Sequence, residues 1–128
     1  MIKHTLLAFA VSLAVLMAGT PAVAHHSVNA EFDMSKLLTI TGELVRLDEV
    51  NPHSWWYVDV KEKDGKVTAW KLESLGPNGL RQKGVSIKKD LKVGETYTFT
   101  IVPAWKPVPV GFMKSMIIKG TSYVMSDL

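Results

Sequence analysis

The chain has 128 residues, 47% of them hydrophobic and 21% charged, with no cysteine and a formal net charge of +3. That length suits one domain around one core. The weak, mixed charge argues against a dedicated nucleic-acid partner, and the missing cysteine excludes disulfides, thiolate nucleophiles and an acylated lipoprotein anchor.

In chain order, the first stretch is MIKHTLLAFAVSLAVLMAGTPAVA, residues 1–24. Lys3 supplies a positive start, Leu6 to Met17 is almost unbroken apolar sequence, and Ala22-Val23-Ala24 fits the small-x-small cleavage rule. The apolar run is short for a bilayer span, and Gly19 and Pro21 interrupt it. Residues 1–24 are therefore expected to be a secretory signal peptide, with 25–128 as a single periplasmic or secreted domain. Lys3 is the leader's one formal charge, so the mature domain would carry +2.

Several strands follow. In LLTITGELVRL (37–47), Leu38 and Ile40 share a face, and a glycine-marked bulge at Gly42 would shift the apolar phase to Val45 and Leu47. WWYVDVKEK (55–63) alternates, with Trp56, Val58 and Val60 on one face and Trp55, Tyr57 and Asp59 on the other. Asp64-Gly65 predicts a type I′ hairpin into KVTAWKLES (66–74), which buries Trp70 and Leu72. Pro77 and Gly84 bracket one short helix over GPNGLRQKG (76–84). LKVGE (91–95) is a turn, and TYTFTIV (96–102) is a strand. The prolines of PAWKPVPVG (103–111) bar it from a central strand, and KSMIIKGTSYVM (114–125) is the last strand.

Three strands, a short helix and two more strands is the chain order of an OB-fold, a small five-stranded, partly open β-barrel. The predicted class is thus all-β and OB-like, with the helix between strands three and four. In that fold the loops joining strands one to two and four to five flank the usual binding face. Here these are DEVNPHS (48–54) and PAWKPVPVGFMK (103–114).

Cleavage after Ala24 would give His25 a free α-amine. Amine and ring nitrogen together chelate one metal ion, and a further imidazole, from His53 in NPHSWW, completes a three-nitrogen site that favours copper(II). His26 offers a competing square-planar mode through amine, amide and imidazole. Hence His25, His26 and His53 are candidate metal ligands, with copper the expected ion and no other cofactor indicated. Trp55, Trp105, Phe112 and Met113 would rim the cleft and could stack an organic ligand or a peptide. A third alternative is a structural partner of an envelope complex, joined through an edge strand. Solvated termini and core packing remain the plain readings of these same residues.

No enzyme signature emerges. Ser54 beside His53 lacks the G-x-S-x-G setting, the carboxylates Glu43, Asp48, Glu49 and Asp59 have no acid–base spacing, and no phosphate-cradling glycine motif occurs.

AHHS at the leader junction, EFD (31–33), TGEL (41–44), Asn51-Pro52-His53 followed by Trp55 and Trp56, and LKVGE together resemble a family of small exported bacterial proteins classed as a domain of unknown function. PAWKPVPVG is more aromatic and proline-rich than that pattern. The resemblance implies export and a shared fold, and it implies no catalytic residue.

Overall fold

The structure is a computed structural model that describes residues 27–127. Its elements are α1 (Val28–Glu31), β1 (Leu38–Asp48), β2 (His53–Lys61), β3 (Val67–Leu75), α2 (Pro77–Gln82), α3 (Ile87–Asp90), β4 (Thr96–Pro103), β5 (Val110–Ile118) and β6 (Thr121–Val124). Antiparallel pairing runs β3-β2-β1-β4-β5, and a parallel contact between β3 and β5 closes five strands into a barrel, with β6 added at the edge. This is the OB order the sequence predicts, closed rather than partly open. Two further helical turns, α1 and α3, accompany the expected α2.

Alternation builds the core. Ser54, Trp56, Val58 and Val60 of β2 point inward and are buried. Trp56 meets Phe99 edge-on, with ring centroids 6.2 Å apart. Leu44, Leu72, Leu80, Ile101, Met113 and Met116 complete the same cluster, and Trp70 packs half-buried against it. The indole of Trp56 keeps its polar atom satisfied by donating to Ser54 Oγ at 2.8 Å, as a buried tryptophan must.

Four local expectations change. Gly42 stays in register with its neighbours, and the bulge falls between Leu44 and Arg46, leaving Val45 exposed and returning Leu47 toward the core. The β2–β3 turn is not type I′, because Lys63 and Asp64 keep negative φ while Gly65 alone adopts +86°. Gly65 N–H donates to Glu62 C=O at 3.0 Å, and Glu62 N–H to Lys66 C=O at 2.7 Å, so the loop is one residue longer. A two-residue turn would have set Trp56 opposite Glu73; the observed turn sets Trp56 opposite Leu72 and keeps both apolar faces inward. Finally, the last strand begins earlier than predicted, at Val110, and is a hairpin, since Lys119 (φ 49°) and Gly120 (φ 80°) form a tight turn into β6.

The segment before β1 is fastened to the barrel. Asp33 N–H donates to Pro103 C=O at 2.8 Å, and Phe32 bridges Ala104. Phe32 also packs on Phe112, centroids 5.7 Å apart, in a second small core with Val102. Asp33 then closes the turn into β1: Ser35 Oγ donates to its carboxylate at 2.6 Å, and Lys36 Nζ lies 3.0 Å away.

The bond from Ser35, and then the one from Lys36, hold the Asp33 carboxyl below its ordinary pKa. Such a group adds stability above its unfolded pKa and loses it as the pH falls through the folded one. Asp33→Asn is therefore expected to lower stability at neutral pH and to flatten its loss below about pH 4. Urea midpoints measured from neutral to acid pH test this, and parallel curves for the two proteins would refute it.

Candidate functional site

Among the outward residues of β2, His53, Trp55 and Tyr57 each meet a charged side chain from a neighbouring strand. Lys71 of β3 places Nζ 4.1 Å from the Trp55 ring centroid. Arg46 of β1 lies 3.7 Å over Tyr57, while its Nε sits 3.2 Å from Asp48. At surface exposure each cation–π contact contributes about 0.5–1 kcal/mol. His53 is different, because its cover is an acid. Its Nδ1 lies 2.6 Å from Glu73 Oε1, and the two side chains are 42% and 9% exposed.

Burial of Glu73 comes from both sides. It pairs with Trp55 on β2 and, through the parallel closure, with Phe112 on β5. A carboxylate taken out of water requires strong donors. The His53 ring supplies one, with Nδ1–H donating. That bond fixes the imidazole so that Nε2 faces away from Glu73, with no hydrogen-bond partner among the described residues.

The loop before His53 holds it at the barrel rim. The Asn51–Pro52 peptide is cis. Asn51 Oδ1 accepts from Asn78 N–H at 3.2 Å, satisfying one of the free amides at the start of α2. Pro52 C=O accepts from Gly76 N–H at 2.7 Å. A Cβ on Gly76 would fall 2.5 Å from Val50 O and 2.7 Å from Asn51 Oδ1, so glycine is needed for this approach. Below, Ser54 Oγ donates to Leu75 C=O at 2.6 Å, and the neighbouring buried Ser74 hydroxyl has no partner among the described residues. NPHSW and ESLGPN are thus complementary halves of one rim.

The sequence-predicted residues separate. His25 and His26 lie outside the described residues. His53 and Trp55 sit together on β2. Trp105 is 60% exposed on the β4–β5 loop, its indole N–H donating to Asn29 C=O at 3.0 Å and its backbone N–H to Glu31 C=O at 3.1 Å. Phe112 and Met113 are buried rather than exposed beside a cleft. A register shift in the β4–β5 pairing turns Met113 into the main core, and Phe32 covers outward-facing Phe112. Glu73 escaped the sequence reading. Counting the hairpin register outward from the Glu62–Lys66 pair would have set it beside Trp55 and diagonal to His53, although its burial depends on distant Phe112.

A small OB-type barrel with a histidine–carboxylate pair at its rim is the class these features define. The chain belongs to the Family of unknown function (DUF6152), whose model matches residues 13–111. No curated protein and no solved structure matches it. Among the described residues no helix is long and apolar enough to cross a membrane.

Two substitutions at this rim should move stability in opposite directions. Asn51→Ala removes the bond at the α2 start and should lower stability by about 1 kcal/mol. Ser74→Ala removes a buried hydroxyl that bonds to nothing described, and should raise stability by up to about 1 kcal/mol. Chemical denaturation reads both, and a fall for Ser74→Ala as large as that for Asn51→Ala would show that the hydroxyl is bonded after all.

Proposed function

We propose that the protein is a small exported binding module that captures copper(II) through His53 together with the mature amino terminus at His25, with His26 as an alternative ligand. The His53–Glu73 pair carries this reading. A ligating histidine ordinarily donates its second ring N–H to a carboxylate, which sets the tautomer and raises the basicity of the ligating nitrogen. His53 has that arrangement, with Nε2 on a side chain 42% exposed. Among the described residues no group of three or more potential ligands converges, so the described pair cannot complete a site by itself.

The missing donors are drawn from the amino terminus, and the contacts support that choice. Residues 25 and 26 precede Ser27, the start of the segment that the β4–β5 loop holds. Phe32 of this segment packs on Phe112, and Phe112 is the register partner of Glu73, which touches His53. Two extended residues carry His25 at most about 7 Å beyond Ser27, so the site requires the start of this segment to lie close to His53. Imidazole and amine nitrogens rank copper(II) first among the divalent ions of this row. The proposal includes export and cleavage after Ala24, because an internal His25 has no free amine to offer.

Calorimetric titration with copper(II) of protein beginning at His25 tests the reading. His53→Ala should abolish the tight phase. Glu73→Gln should weaken it by about 10–100-fold. One extra residue ahead of His25 should also abolish it. Tight binding that survives both His53→Ala and the extension would remove the proposal.

A further inference from the structure

A second conspicuous surface is lined by neither His53 nor Glu73. Between α1 and the β4–β5 loop runs a cleft of about 410 Å³, walled by Phe32, Ala104, Trp105, Val108 and Val110, with Lys106 and Glu31 among its polar lining. Small-molecule sites commonly span about 300–1,000 Å³, mostly apolar with a few polar groups that fix orientation.

The cleft is built rigidly. Trp105 is held at both its backbone and indole N–H groups, yet it is 60% exposed. Its ring therefore cannot fold away from water. Across the loop, Ala104 N–H donates to Val110 C=O at 2.9 Å, and Val108 N–H to Lys106 C=O at 2.8 Å. Pro109 C=O accepts from Lys71 N–H at 2.9 Å, tying the loop to β3, and Pro107 and Pro109 restrict φ within it. A fixed aromatic wall in a preformed cleft costs little ordering when a ligand arrives.

Charge selects the ligand's head group. Lys106 has no carboxylate within ion-pair distance among the described residues. Residues 1–26 contain no Asp or Glu, so that segment cannot supply one. Glu31, the other charged residue of the lining, is engaged in an interaction of its own.

We infer that this cleft binds a small amphipathic anion, its apolar body against Trp105, Phe32, Val108 and Val110 and its acidic head at Lys106. A single-chain carboxylate has this chemistry. The inference does not depend on metal capture at His53.

Decanoate, with neutral decanol as its control, is the probe. Binding to the exported protein is read by calorimetry and by Trp fluorescence, with circular dichroism confirming the fold of each variant. Lys106→Met should lower decanoate affinity at least tenfold and leave decanol unchanged. Trp105→Ala should remove binding of both. Val108→Asp, at an exposed wall position, should abolish decanoate binding even where Trp105→Ala disturbs the fold. His53→Ala should leave decanoate affinity unchanged. The proposal fails if the native protein does not bind decanoate, if it binds decanol equally well, or if Lys106→Met and Val108→Asp retain full affinity.

Discussion

Everything at the rim depends on three parallel register pairs, Lys71 with Val110, Leu72 with Gly111 and Glu73 with Phe112. Their first consequence is closure, which removes two open edges from the sheet and surrounds the core of Trp56, Phe99 and Leu72. The same pairs bring β5 against the outward row of β3, so the Glu73 side chain is left only 9% exposed. They also seat the β4–β5 loop beside Lys71, and that loop in turn holds the segment from Ser27 to Asp33. A parallel contact this short is weak alone. It persists because Phe32 covers Phe112 from outside while Met113, the next residue, fills the barrel from within.

Burial of Glu73 and orientation of His53 are one event seen from two sides. An isolated carboxylate in that position would be strongly disfavoured, and the imidazole N–H offsets the loss of water only when the ring is held still. The loop performs this service. Asn51 and Pro52 bond to the start of α2, and Ser54 bonds to Leu75, so the residues on either side of His53 are fixed to β3 and its helix. The result is a ring with one nitrogen committed and the other presented outward. The adjacent rings of Trp55 and Tyr57 carry cations instead, which makes His53 the aromatic ring of the row backed by negative charge.

Much of this fold is legible in the residues. The alternation of WWYVDV identifies β2 and its inward face without ambiguity, and Pro77 with Gly84 brackets α2 correctly. Strand order then leads to the barrel. The errors arise where one residue of register matters. Asp64-Gly65 satisfies the pattern of a two-residue turn, but the apolar faces of β2 and β3 can both point inward only if the loop is longer. The chain obeys the core rather than the dipeptide. Phe112 and Met113 look like loop residues because prolines precede them, yet β5 begins at Val110, directly after the last proline. Glu73 looks like an ordinary outward charge in KLES. Its burial depends on Phe112, far away in sequence, so no local pattern reveals it.

Polar residues are buried at four described positions, Asp33, Ser54, Glu73 and Ser74. Asp33 and Ser54 are hydrogen-bonded and complete a turn and an indole contact, so structure alone accounts for them. Glu73 and Ser74 are harder to explain by packing. An apolar pair there would spare the desolvation cost of a carboxylate and of a hydroxyl with no partner described. Both flank the strand end that faces His53 and Ser54. Glu73 has its compensation in the bond to His53, whereas Ser74 has none among the described residues, and departures from the stability optimum that cluster in one place are expected at functional sites. The barrel therefore sets two polar groups that its core does not require side by side on β3, at the rim where the oriented imidazole of His53 stands.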